Sequence, residues 1–144
     1  MLLSQIFQLS NILATIGWLF LLIAPRWKWT GRIIIGFIMI LFCLVYIYML
    51  TRSFNAEAFE SFSSLDGVKQ LFTNESAVLA GWIHYLAFDL MVGLFIMHNS
   101  LKNNIPHLLV IPCLLLTFML GPVGLLLYLF IRMLSTRRYF ISYP

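Results

Sequence analysis

Charge is scarce in this chain. Of 144 residues, 9 are Lys or Arg and 5 are Asp or Glu, 10% in all, where soluble domains carry about 25%. A nucleic-acid role needs a water-exposed basic surface, and this composition leaves almost none. Cysteine is limited to Cys43 and Cys113, isolated within apolar stretches and without C-x-x-C spacing. They say nothing of redox compartment and read as small side chains in helix packing. Histidine is limited to His84, His98 and His107, too few for the histidine-rich di-iron sites of membrane enzymes. The first five residues hold no Lys or Arg and no small-x-small cleavage site precedes Pro25, so the first apolar segment is expected to be a retained helix. No Arg/Ser-rich transit peptide addresses the chain to a plastid, which makes a bacterial-type plasma membrane the simplest setting.

What the chain has in excess is long apolar runs, with 62% of its residues hydrophobic. The segments 4–24, 33–50, 77–98 and 107–131 are apolar on every face. Each matches the ~20 residues, range about 17–25, that carry a helix across a bilayer. No stretch remains for a water-soluble core. The expectation is an all-α integral membrane four-helix bundle, one domain over 1–144, with both termini on one side. The turn 25–32 places Trp27 and Trp29 among Arg26, Lys28 and Arg32, a composition suited to the headgroup zone. The loop 51–76 holds four of the five acidic residues and recurrent apolar ones, among them Phe54, Phe59, Phe62, Leu65, Leu71 and Phe72. Two short amphipathic interfacial helices between helices 2 and 3, broken near Ser63 and Ser64 with a serine N-cap, account for that mixture. Asn74, Glu75 and Ser76 match a glycosylation sequon beside the start of helix 3.

Helix 3 carries Ala77 and Gly81 four apart, a small pair that permits close approach by another helix. Helix 4 contains Pro112 and the run Gly121, Pro122, Val123, Gly124. Each internal proline frees a backbone carbonyl, which in lipid must find a partner inside protein or a wet cavity. With four spans the cations divide almost evenly: Arg26, Lys28, Arg32 and Lys102 on one side, Arg52, Lys69, Arg132, Arg137 and Arg138 on the other. A break at Gly121 that turned the chain back would make the division seven to two, but it leaves halves too short to span. The four-span arrangement is therefore the expectation.

Only helix 3 has ionisable residues in mid-span, and such residues are costly enough, about 2.5–3.5 kcal/mol for a central Asp, to call for a reason. Trp82, Tyr85, Asp89 and Gly93 share one stripe. His84 lies about 140° round the helix from Asp89. A structural role for Asp89 is a carboxyl tied to a freed carbonyl of helix 4 beside Pro122. A chemical role is acid–base work, with His84, Asp89 and Tyr85 as candidate catalytic groups. Trp82, Phe88, Phe95, His98 and His107 are candidate substrate-binding residues. His84 and His98 are about 21 Å apart in rise, as haem-ligand pairs in transmembrane b-type cytochromes are, but only His107, near the His98 level, is available as a second ligand, which allows one haem per chain and not two. No metal ligand set and no cofactor is expected.

The residues Ser64 to Val68, then Trp82, Ile83 and His84 ahead of Leu86 to Leu90 with Asp89, then Cys113 to Leu115 ahead of Gly121 to Gly124, resemble the abscisic-acid-deficient, neoxanthin-synthase-like family over about 61–132. Where many members have an acidic residue after the position of His98, this chain has Asn99. The resemblance implies a four-helix membrane protein acting on a carotenoid or other polyisoprenoid. In its plant members the reaction is a redox-neutral isomerisation that opens an epoxide and leaves an allene. Protonation of the epoxide oxygen and loss of a vinylic proton are steps that a carboxyl and an imidazole can supply. The alternative is a non-catalytic carotenoid- or lipid-binding subunit that packs against a partner enzyme or a second copy. Either way the expected contacts are membrane lipids and a hydrophobic isoprenoid ligand.

Overall fold

The computed structural model describes residues 2–53 and 60–137, which contain helices and no strand. In chain order these are α1 (Leu3–Ile23), α2 (Thr30–Ser53), α3 (Leu65–Leu71), α4 (Glu75–Lys102), α5 (His107–Leu120) and α6 (Pro122–Thr136). Three of them, α1, α2 and α4, are long and apolar enough to cross a membrane.

The helix ends follow from local chemistry. α1 stops short of Pro25, because a residue before proline is pushed out of the helical region. The following turn is closed by Thr30 Oγ1, which donates to the Ala24 carbonyl at 2.7 Å. α2 opens through a π-helical stretch, Ile34–Met39, before continuing as α-helix. The Asn74 side chain accepts from the backbone N–H of Ser76 at 2.9 Å and of Ala77 at 3.2 Å. The asparagine of the apparent sequon thus caps α4. Asn104, at φ 53°, ends the segment that follows α4.

The serine-capped helix expected in the loop 51–76 is present where that loop is described. α3 follows Ser63 and Ser64, and the Ser64 hydroxyl caps it by accepting from Gly67 N–H at 3.1 Å. Its charged pair, Lys69 and Asp66 at 3.0 Å, is solvent-exposed, and no residue of α3 is buried. The expected first amphipathic helix, with Phe54 and Phe59, falls largely outside the described residues.

The chain divides into two compact units, each using parts of the long helices. The first comprises residues through Thr15 together with Ile33–Ala87. Its buried side chains include Ile6, Ile38, Phe42, Met49, Ile83 and Leu86. Here the Trp82 indole donates to Asn11 Oδ1 at 2.9 Å, joining α4 to α1. The second comprises Ile16–Arg32 and the chain from Phe88. Its buried side chains include Trp18, Leu21, Leu90, Met97, Leu114 and Tyr128. A Cβ at Gly93 would fall 2.7 Å from the Trp18 ring, so the absent side chain is what seats that indole on α4.

The expected fourth span is corrected here. Residues 107–131 do not form one crossing helix. Gly121, at φ 36° and ψ −91°, separates α5 from α6. Pro122 lacks the N–H that a continuing helix would need and instead starts α6 at a position proline favours. A Cβ on Gly124 would collide with Thr117 N, Thr117 Oγ1 and Cys113 O. In a continuous helix residues 113 and 124 would be about 16 Å apart along the axis. α6 therefore runs back against α5 as a hairpin. Its arms of 14 and 15 residues rise only about 21 and 22 Å, short of the ~30 Å hydrocarbon core. The four-helix bundle therefore gives way, among the described residues, to three helices long and apolar enough to cross a membrane and one shorter apolar hairpin.

Two outcomes test this. If the three long helices cross and the hairpin enters and leaves by one face, the termini lie on opposite sides. The cations then divide seven to two: Arg26, Lys28, Arg32, Lys102, Arg132, Arg137 and Arg138 against Arg52 and Lys69. Reporter fusions should place the C-terminus in the cytoplasm and the N-terminus outside; matching signals at both ends would restore the four-span topology. Gly124→Ala should cost about 1–3 kcal/mol by overpacking in detergent unfolding. Gly36→Ala, whose Cβ meets nothing within 4 Å, is the silent control.

Candidate functional site

The residues on the first half of α4 recur on two opposite faces, and each face borders a hollow in the first unit. Ala77, Ala80, Gly81 and His84 lie three to four apart, the helical spacing that keeps residues on one side. They form one wall of a cavity of about 220 Å³. Tyr46, Leu50 and Ser53 of α2 form a second wall, and Phe62, Leu71 and Phe72 from the interfacial segment form the third. The lining is apolar except for His84, Tyr46 and Ser53, and the Ser53 hydroxyl is engaged with the Met49 carbonyl at 2.9 Å. The rings of His84 and Tyr46 lie 5.8 Å apart. The small residues at 77 and 81 were expected to admit a helix. At Gly81 the space is taken by a side chain: a Cβ there would fall 2.8 Å from Phe72 Cε1.

On the opposite face of α4, Glu75, Val78, Leu79 and Trp82 border a shallower groove of about 320 Å³ with Leu3, Ser4, Phe7 and Thr73. Trp82 stacks between Phe7 at 5.6 Å and Tyr85 at 5.4 Å. Of the sequence-predicted residues, His84, Tyr85 and Trp82 thus belong to the first unit. His84 lines the cavity, Trp82 lines the groove, and Tyr85 packs on Trp82.

Phe88, Asp89, Phe95, His98 and His107 belong to the second unit. Asp89 lies at the hairpin turn. A Cβ on Gly121 would approach Asp89 Oδ1 to 2.6 Å, and Oδ2 is fully buried. This is the neighbourhood that the structural role for Asp89 requires. Phe88 is exposed. Phe95 meets Tyr128 edge-on at 6.5 Å. His98 is exposed and lies against Gly31, within 3.3 Å of where a Cβ would stand. His107 Nε2 is 2.9 Å from the Leu22 carbonyl and donates to it in the Nε2–H tautomer, joining α5 to α1. Asn99, one position past His98, accepts from the buried Tyr128 hydroxyl at 2.6 Å.

Sequence reasoning missed Tyr46, Phe62 and Phe72 as site walls. Tyr46 carries a weak signal, a phenol inside an otherwise apolar span. Phe62 and Phe72 carry none, since interfacial aromatics look alike until a fold turns some of them inward.

A family model described as ABA DEFICIENT 4-like matches residues 5–128. The chain belongs to the ABA4-like family. The match begins within α1, so the family pattern takes in the first two helices as well as the segment from 61 that carries the sequence resemblance. It also takes in the α5–α6 turn, so the hairpin tip lies within the family region of this ABA4-like protein. No curated protein and no solved structure matches the chain.

The Asp89–Gly121 contact makes a quantitative demand. Gly121→Ala should destabilise the ABA4-like protein by about 1–3 kcal/mol, because its φ disfavours a side chain, with the clash against Asp89 adding to that. Asp89→Ala removes the clash. The double variant should therefore be less destabilised than the sum of the two singles, by about 0.5 kcal/mol or more. Additive losses in detergent unfolding would show that the two residues do not meet.

Proposed function

We propose that this ABA4-like protein modifies a membrane-soluble isoprenoid, a carotenoid in the first instance, by taking its cyclic end group into the His84 cavity. The observation that carries this reading is the lining: aromatic and aliphatic walls with an imidazole and a phenol facing one space of about 220 Å³. That space suits a substituted six-membered ring and is too small for a whole carotenoid, whose polyene then lies among lipid or along the protein surface. Ligand pockets commonly combine an apolar lining with a few placed polar groups.

The chemistry is a redox-neutral, acid–base isomerisation. Opening an epoxide to an allene breaks a C–O bond and a vinylic C–H bond and forms an O–H bond and the second C=C bond of the allene, which takes the electron pair of the lost C–H bond. One proton arrives at oxygen and one leaves carbon, with no electron transferred. Protonated His84 delivers the first proton, and the neutral imidazole it becomes accepts the second, which returns the side chain to its starting state. The Tyr46 hydroxyl donates a hydrogen bond to the same oxygen. Asp89, in the other unit, serves in this reading as a structural group at the hairpin turn. The bacterial-type plasma membrane remains the proposed setting.

A second reading, binding without turnover, is favoured by the groove at Phe7 and Trp82, an apolar surface with no acid–base pair. The two readings diverge on His84→Gln. Catalysis predicts a loss of turnover of about 100-fold or more with yield, thermal stability and any bound pigment unchanged, assayed against a panel of epoxy and cyclic carotenoids. A variant that isomerises as the parent does would remove His84 from the chemistry. A parent that retains carotenoid absorption after purification and converts no member of the panel would support the binding subunit.

A further inference from the structure

The third wall of the His84 cavity differs in kind from the other two. α2 and α4 are long and apolar enough to span a membrane, whereas Phe62, Leu71 and Phe72 come from the polar segment between them, and no residue of α3 is buried. The Ser64 cap and the exposed Lys69–Asp66 pair both lie within that segment. A segment with so little buried surface opens at low cost. Phe72 itself is 47% exposed, yet its ring edge occupies the space that a side chain at position 81 would take. Glycine at 81 is thus the condition for the ring to seat against α4, and the seat leaves part of the ring outside. Gly81 and Phe72 line the same cavity as His84.

We propose that Phe72, seated in the Gly81 notch, is the gate of the His84 cavity and sets the size of the cyclic group admitted. The proposal rests on the reading of that cavity as an end-group site. A ring entering beside His84 displaces Phe72 toward the headgroup zone, where an exposed aromatic is well accommodated. α3 moves with it, since Phe72 directly follows the last residue of that helix. A flatter or smaller ring enters with Phe72 in place; a bulkier one requires it to leave.

The test reads access to the cavity without needing turnover. Ala80 is buried and on the cavity wall. The reporter chain carries Ala80→Cys together with Cys43→Ser, which removes the exposed native thiol. Modification by N-ethylmaleimide is then followed in membranes, and the Cys43→Ser chain alone supplies the background from the buried Cys113. Gly81→Ala and Phe72→Ala should each raise the rate at the introduced thiol by about tenfold, the scale of a modest change in a local opening equilibrium. Their combination should raise it no further, because both act on one ring. Phe72→Leu, which retains an apolar plug, should lie between the parent and Phe72→Ala and shows that a faster rate is not misfolding. Parental rates in Gly81→Ala, or additive effects in the double variant, would overturn the gate. A cyclohexenyl probe such as β-ionone should slow modification in the parent, and a bicyclic analogue should do so only in Phe72→Ala. Equal protection by the bicyclic analogue in both chains would overturn the size selection. If the gate variants respond as stated and no ring compound protects, the gate stands and the end-group reading falls.

Discussion

A bilayer supplies no water to hydrogen-bond a broken helix, and the second unit is organised around meeting that constraint. At Gly121 the chain reverses within what would otherwise be a single crossing. Lipid-exposed irregular backbone is not tolerated within a hydrocarbon core, and a turn placed there has to be enclosed by its own protein. Gly121 N–H donates to the Thr117 carbonyl at 2.9 Å, and Leu125 N–H donates to the Gly121 carbonyl at 3.3 Å. The Thr117 hydroxyl donates to the Cys113 carbonyl at 2.8 Å, which keeps both groups satisfied on the face of α5 that α6 covers. The glycine at 124 brings α6 near enough for these groups to be screened from lipid. Asp89, on α4, closes the remaining side of the turn.

α4 is a scaffold whose missing side chains matter as much as those present. Gly81 receives Phe72, Gly93 receives Trp18, and Gly121 opposite α4 makes room for Asp89. In each case the glycine serves a side chain and not the backbone of another helix. An aromatic ring gains dispersion contacts when it is set into such a notch. In lipid, where the hydrophobic effect between helices is weak, packing of this sort supplies much of the association energy. Polar contacts among the described residues are placed across elements, among them Trp82 to Asn11, His107 to the Leu22 carbonyl and Tyr128 to Asn99.

The chemistry on offer is correspondingly sparse. On the proposed reading, the imidazole and the phenol of one apolar cavity move a proton between them and a substrate that is neither charged nor heavily hydroxylated. A substrate dissolved in the membrane needs little else, because lipid has already desolvated it and the protein need only orient the reacting ring. On the proposed reading, that is how a chain with 10% charged residues can be suited to catalysis.

The sequence by itself determined that the chain is helical and membrane-embedded, since runs of ~20 apolar residues have no other stable use. It determined the serine cap at 63–64 and the helix it starts, because capping depends on neighbours a few residues away. It also pointed Asp89 toward the Gly121–Pro122 break, from the cost of a carboxyl in mid-membrane, and it carried the family resemblance at Trp82, His84 and Asp89. Only the tertiary structure decided that 107–131 folds back. Hydropathy counts apolar residues and is blind to direction, and whether a proline kinks a helix or ends it depends on what packs against the freed backbone. Only the tertiary structure, likewise, gave His84 its cavity partners. Tyr46 and Phe72 lie 38 and 12 residues away in a chain whose aromatics are interchangeable by composition, and what distinguishes them is a shared cavity, a property of packing across helices that no local pattern records.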